Sequence, residues 1–142
     1  MAQFLPIESS FRHQGFNLIA GFDEAGRGPL AGPVVSAAVI LKAKARLPGL
    51  DDSKKLSALK RARLFELILA NCLDYAIAAV SHITIDAINI LNATKLANEL
   101  CLEALTIKPD LALVDGRDKQ NFDIPFYTII RGDSKVRCIA AA

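Results

Sequence analysis

Four acidic residues at three separate places in the chain have the types and neighbours expected of a metal centre. They lie close to glycines at the ends of apolar runs, where open α/β sheets collect their ligands. Clustered carboxylates repel one another unless a cation lies between them, and hard divalent ions such as Mg²⁺ prefer oxygen ligands. Two such ions about 4 Å apart activate a water and stabilise the leaving oxygen in phosphodiester cleavage. The candidate ligands are Asp23, Glu24, Asp115 and Asp133.

Each of these acids also has an explanation that needs no metal. A single carboxylate can cap a helix or solvate a loop, and Asp133 could be only the acid at a helix start. Neighbouring strand residues point to opposite faces, so Asp23 and Glu24 share one site only if the chain bends there. Gly26 and Gly28 permit such a bend. The metal centre is favoured for the set of four and would not be favoured for any one acid alone.

A glycine-rich turn follows the first two acids. Gly26, Gly28 and Gly32 come close to the dinucleotide-binding fingerprint, and Asp51 or Asp52 follows at a plausible distance. The spacing is one residue too long, however, and the carboxylates before the turn would repel a pyrophosphate. We reject that assignment and expect instead that the glycines let a ligand approach the backbone closely.

The pattern of apolar residues predicts the strands and helices that position these side chains. The short link between the first two strands favours an antiparallel pair, because a parallel return needs a long crossover. The order of the elements argues for an α/β domain, with a mixed five-stranded sheet flanked by helices. Strands are predicted at Asn17–Asp23, Pro33–Leu41, Tyr75–Ser81, Leu111–Val114 and Phe126–Ile130, and helices at Ala58–Leu73, at Asp86 to about Leu105 and at Ser134–Ala142; Ser57 is the N-cap of the first helix.

The composition fits one domain over residues 1–142. Apolar residues make up 52% of the chain, which is enough for a core. Residues 1–14 lack periodicity and the pattern of a secretory signal, so we expect a flexible or weakly docked lead-in there. No apolar run is long enough to cross a bilayer, and three widely spaced cysteines indicate reduced thiols in the cytoplasm. The net charge of +2 is too small to indicate nucleic acid by itself.

Five ordered motifs resemble those of type 2 ribonuclease H, the ribonuclease HII family. That family has the ribonuclease H-like fold, so the resemblance implies this fold here. It also implies that the carboxylate quartet, Asp23, Glu24, Asp115 and Asp133, binds Mg²⁺ or Mn²⁺, with two ions expected. The motifs are Gly21–Val34, Asp52–Ser57, Ile85–Leu91, Val114–Gly116 and Gly132–Lys135.

The resemblance further implies a substrate and the residues that bind it. The family's Gly-Arg-Gly motif falls on Gly26, Arg27 and Gly28, where backbone groups read the 2′-hydroxyl of the ribonucleotide at the cleavage site. Lys54 and Lys55 would contact backbone phosphates, and a solvated basic loop is the alternative. The implied activity is endonucleolytic cleavage of RNA in RNA–DNA hybrids, or at single ribonucleotides in DNA, during DNA replication and repair. The products would be a 3′-hydroxyl and a 5′-phosphate.

Members of this family continue beyond the position of Ala142 with a helical region that supplies a tyrosine stacking on the substrate. We therefore expect a C-terminally truncated domain with weakened catalysis, monomeric but prone to self-association through uncovered apolar surface. Two other classes of function remain open. One is a module that binds RNA–DNA junctions without cutting them, and the other is a carboxylate-dependent hydrolase of small phosphates with an aspartate nucleophile.

Overall fold

A mixed five-stranded sheet forms the centre of the protein, described here from a computed structural model over residues 4–26 and 32–142. Its order is β3-β2-β1-β4-β5 for strands numbered along the chain. The pairs β1–β2 and β2–β3 are antiparallel, and β1–β4 and β4–β5 are parallel. The predicted fold class is confirmed, and the three strands that precede the acids are neighbours. The strands are β1 (Ile19–Ala25), β2 (Val34–Leu41), β3 (Cys72–Val80), β4 (Leu111–Asp115) and β5 (Phe126–Ile129).

Helices cover both faces of the sheet. Ser57 caps α2 as predicted, because its side chain accepts a hydrogen bond from the Lys60 N–H at 3.2 Å. A 3₁₀ turn at Ser53–Lys55 precedes that cap. None of the helices within the described residues has both the length and the apolar character that crossing a membrane requires. The helices are α1 (Ile7–His13), α2 (Ala58–Asn71), α3 (His82–Ala104), α4 (Gly132–Lys135) and α5 (Arg137–Ala141).

Alternation along the central strands divides the apolar core into two layers. Ile19 and the β4 residues Leu111 and Leu113 pack on one face, against α1, α2 and α5. Ala20 and Phe22 pack on the other face, against α3. Because successive side chains of a strand point to opposite faces, the next residues of β1 divide in the same way. Asp23 therefore belongs to the α5 side of the sheet and Glu24 to the α3 side.

The N-terminal segment contacts the C-terminal helices, at a place where the sequence predicts a flexible or weakly docked lead-in. Residues 7–13 form α1, and the Leu5 N–H donates to the Lys135 carbonyl at 2.8 Å. The Glu8 carboxylate accepts a hydrogen bond from the Cys138 N–H at 2.9 Å, and Phe4 packs against the core. These contacts lie about 130 residues away in sequence, so local periodicity carries no information about them.

The C-terminal residues also differ from the prediction, which was one helix from Ser134 onward. Buried Val136 has extended backbone angles (φ −125°, ψ 125°) and separates α4 from α5. This break lets α5 lie directly on β1 at Gly21. A Cβ built on Gly21 would come within 2.2 Å of the Cys138 carbonyl carbon, so only glycine allows the contact.

Candidate metal centre

Three aspartates meet at the carboxyl ends of β1, β4 and β5. Phe22 pairs with Val114 in the parallel ladder, so the next residues on the two strands, Asp23 and Asp115, lie side by side. Asp133 reaches them from α4, which begins shortly after β5. Carboxylate oxygens of the three residues all lie within 4.8 Å of one another. We call Asp23, Asp115 and Asp133 the carboxylate centre.

Backbone donors fix the position of Asp115 within the carboxylate centre. Its Oδ1 atom accepts a hydrogen bond from the Gly132 N–H at 2.7 Å and a longer one from the Asp133 N–H at 3.4 Å. A Cβ on Gly132 would lie 2.6 Å from the Ile139 side chain and 3.3 Å from Asp115 Oδ1. The absence of a side chain at this glycine therefore lets the backbone of α4 approach the Asp115 carboxylate closely.

Negative charges lie close together in the carboxylate centre. Burial, with the negative charges of Asp115 and Glu24, raises the pKa of Asp23 from 3.8 to about 8. Burial and the charge of Asp115 also raise the pKa of Asp133. Close carboxylates share protons or bind a cation, and a set of aspartate oxygens suits a hard divalent ion. The residues present thus fit the Mg²⁺ or Mn²⁺ that the sequence predicts.

Glu24 lies at the border of the carboxylate centre. Among the described residues, the close group of ligand atoms has only the three aspartates as members. The Glu24 N–H donates to Asp23 Oδ1 at 2.8 Å, and its charge contributes to the raised pKa of Asp23. Glu24 and Asp115 both line a small pocket on the α3 side of the sheet. Glu24 therefore adjoins the centre from the opposite face of the sheet.

The predicted substrate-binding residues fall into three groups. Gly26 has a φ of +94°, and a Cβ there would lie 2.5 Å from the Pro33 carbonyl oxygen, so the turn after β1 requires glycine. Arg27 and Gly28 lie outside the described residues. Lys54 and Lys55 are exposed in the 3₁₀ turn, and the charge of Lys54 acts on Asp133 by lowering its pKa.

Sequence reasoning missed several residues around the centre. The charge of Asp52 and a hydrogen bond between its carboxyl group and that of Asp133 both raise the pKa of Asp133. Its place at the start of the second motif was a signal that could have found it. Ser36 and Asn98 form a buried polar pair behind Asp23. The signal for that pair was a polar residue inside an apolar strand and another on the apolar stripe of a helix.

Comparison with known proteins agrees with this geometry. The family model of ribonuclease HII matches residues 20–142. A ribonuclease HII from Geotalea uraniireducens is 51% identical over 138 residues, covering 97% of this chain and 64% of that relative. Another from Caldicellulosiruptor saccharolyticus is 45% identical over 139 residues, covering 98% of this chain and 68% of the relative.

The fold comparison gives the same result. The crystal structure of the ribonuclease H2 from Pyrococcus horikoshii matches with a TM-score of 0.77 at 28% identity, over 88% of this chain and 68% of that one. The chain spans 64% of the length of its relative from Geotalea uraniireducens. On the match to the family model and on these identities, the chain belongs to the ribonuclease HII family.

Proposed function

We propose that this chain carries the catalytic centre of a divalent-metal-dependent endoribonuclease. Its substrates would be the RNA strand of RNA–DNA hybrids and single ribonucleotides embedded in duplex DNA, cut to leave a 3′-hydroxyl and a 5′-phosphate. The observation that carries this proposal is the convergence of Asp23, Asp115 and Asp133 within 4.8 Å, in a chain of the ribonuclease HII family.

The carboxylate centre, with Glu24 at its border, would hold Mg²⁺ or Mn²⁺, in two sites. A divalent ion held by these residues would supply Lewis-acid chemistry and a water of lowered pKa for phosphodiester hydrolysis. The chain's own contribution is to hold the ligands in place. Asp115 is held by a hydrogen bond from the Gly132 N–H. Asp23, whose pKa is raised to about 8, must lose its proton before it can bind a cation.

Residues on the rim of the centre would hold the substrate. The backbone of Gly26, Arg27 and Gly28 would read the 2′-hydroxyl, and the φ of +94° at Gly26 supports a backbone conformation there that glycine adopts most readily. Lys54 and Lys55 would bind phosphates as point charges, supported by their exposure and by the effect of Lys54 on Asp133. Such contacts position a duplex without reading its sequence.

The cellular setting is part of the same proposal. Three cysteines are free thiols, two of them buried, as expected in the reducing cytoplasm. Removal of ribonucleotides from DNA would place the enzyme in DNA replication and repair.

The decisive experiment uses a labelled DNA duplex with one ribonucleotide, incubated with the chain and Mn²⁺, Mg²⁺ or EDTA. We expect a metal-dependent cut on the 5′ side of the ribonucleotide. Asp23→Asn should abolish it, and Asp123→Asn, a change at an exposed loop residue, should leave it unchanged. Metal-dependent binding without any cut would instead identify a non-catalytic junction-binding module. Hydrolysis of small phosphate esters through a trapped phospho-aspartate would contradict the proposal outright.

A further inference from the structure

A buried amide on α3 connects β2, the strand paired with the one that carries Asp23, to the loop that follows Asp115. We propose that this residue, Asn98, is a positioning residue of the carboxylate centre. It holds the loop between β4 and β5 against the Glu24 side of that centre and so sets the centre's affinity for a divalent ion. The inference rests on the metal centre of the proposed function.

The burial of Asn98 shows that its polar atoms must be satisfied within the protein. Asn98 is 1% exposed and Ser36 is 0% exposed, and both lie among apolar residues of the α3 layer. A buried amide costs free energy unless it is hydrogen bonded. The Ser36 hydroxyl donates to Asn98 Oδ1, which satisfies the acceptor of the amide. A leucine of similar size would fill the same space without needing partners, so packing alone does not explain an asparagine here.

Ser36, a residue of β2, is close both to Asn98 and to the strand that carries Asp23 and Glu24. In the antiparallel β1–β2 ladder, Ser36 is the partner of Glu24. Its hydroxyl oxygen also lies 3.4 Å from the carbonyl oxygen of Asp23. On its other side, the Ser36 carbonyl accepts a hydrogen bond from the buried Cys101 thiol at 3.1 Å. The hydrogen-bonded pair of Ser36 and Asn98 therefore lies next to the backbone that carries Asp23 and Glu24.

Gln120 ties Asn98 to the loop after β4. Asn98 Nδ2 donates to Gln120 Oε1 at 2.9 Å, and Gln120 Nε2 donates to the Asp118 carbonyl at 3.0 Å. The loop between β4 and β5 begins at Gly116, directly after Asp115. The position of this loop therefore affects the position of the Asp115 carboxylate. Asn98 thus uses both ends of its amide, one toward the strands and one toward the loop.

The same residues form one wall of the pocket beside Glu24. Asn98, Gln120 and Asp118 line it together with Glu24 and Asp115. Without the Asn98 amide, the Gln120 side chain loses its donor and the loop loses a link to α3. Outer partners that orient metal ligands change metal affinity by about 10- to 100-fold when removed. A residue that only fills the core would change stability without such an effect.

The test measures Mn²⁺ binding to the metal-free chain by electron paramagnetic resonance of the free ion, beside thermal unfolding in EDTA. Asn98→Ala and Gln120→Met each should weaken Mn²⁺ binding about tenfold. The double variant should be little weaker than either single variant, because both remove the same link. Leu105→Ala, a buried change in the same layer away from the pocket, should lower the melting temperature and leave Mn²⁺ affinity unchanged.

The outcomes separate this inference from the function on which it rests. Wild-type affinity in both Asn98→Ala and Gln120→Met, with Mn²⁺ binding that still depends on Asp23, overturns the positioning role alone. If Asn98→Ala fails to fold, Gln120→Met decides, since Gln120 lies in a partly exposed loop. Absence of Mn²⁺ binding in the wild-type chain, or binding that Asp23→Asn does not alter, overturns the metal centre and this inference with it.

Discussion

Asp23 and Asp115 lie side by side because β1 and β4 are parallel neighbours and each aspartate comes directly after the Phe22–Val114 pair. Burial and the neighbouring carboxylates raise the pKa of Asp23 to about 8. In the metal-free chain, Asp23 therefore keeps a proton across a range of pH in which an ordinary aspartate has lost it. A divalent cation would take the place of that proton.

The raised pKa predicts how the stability of the metal-free chain depends on pH. Between 3.8 and about 8, the folded chain binds a proton at Asp23 that the unfolded chain does not. Raising the pH through this range therefore favours unfolding, and the contribution is lost above the folded pKa. We expect the melting temperature in EDTA to fall as the pH rises from about 5 to about 8. Calorimetry should show a smaller slope for Asp23→Asn, and an unchanged slope would contradict the assignment.

The contact between Gly21 and α5 predicts a large steric penalty for any side chain. In Gly21→Ala, the new Cβ would meet the Cys138 carbonyl carbon at 2.2 Å, so β1 and α5 must separate. We expect a loss of about 3 kcal/mol in the free energy of unfolding, measured with urea. Gly49→Ala is the control: its φ is +84° but nothing lies within 4 Å, so only the backbone cost of about 1 kcal/mol applies. Equal losses in the two variants would contradict the steric explanation.

The link between Glu8 and α5 predicts that the N-terminal helix supports the segment carrying Asp133. Glu8→Ala leaves the buried Cys138 N–H without its charged acceptor, which should cost about 2 kcal/mol of unfolding free energy. Ser9→Ala, an exposed change on the same helix, should have no measurable effect. Hydrogen exchange of the α5 amides provides the local measurement. Exchange that is unchanged in Glu8→Ala would show that α1 does not hold α5.

The exposed lysines of the 3₁₀ turn predict a salt-dependent contribution to hybrid binding. In an Asp23→Asn background that prevents cutting, Lys54→Ala and Lys55→Ala each should weaken binding of an RNA–DNA hybrid. Each change should also reduce the slope of log affinity against log salt by about 1, independent of sequence. Lys108→Ala, which removes a partner of Asp123, should leave the slope unchanged. An unaltered slope in both turn variants would favour the solvated basic loop.

Exposed apolar side chains on one face of β3 predict that the chain self-associates. Along this edge strand Leu73, Tyr75 and Ile77 alternate outward, and Ile77 is 57% exposed. Phe65 and Leu69 of α2 extend the apolar surface. Contiguous exposed apolar surface of this kind promotes association. Sedimentation should show an average mass that rises with protein concentration. Ile77→Lys should reduce this rise more than Ile83→Lys, the control at an exposed residue on α3. A monomer at every concentration would contradict the prediction.

The sequence carries most of the information about the strands and the acids. Nearly continuous apolar runs placed β2 and β4 to within about a residue, because this signal depends on nearest neighbours. The convergence of Asp23 and Asp115 followed from the rule that ligands collect at the carboxyl ends of strands. Asp133, for which a helix-start acid was the alternative, lies with the other two.

What the sequence did not show depends on distant partners. The α1 residue Glu8 accepts a hydrogen bond from α5, and Asn98 of α3 donates to Gln120 in the loop after β4.

The parallel pairing of β1 with β4 has a consequence for the chain during its synthesis. β1 and β2 can pair as soon as both have left the ribosome, because they are close in the sequence. Asp115 and Asp133 come about 90 and 110 residues after Asp23, at the far end of a slow, long-range pairing. Asp23 and Glu24 therefore emerge without the other two acids. The carboxylate centre can assemble only after both β4 and α4 have been synthesised.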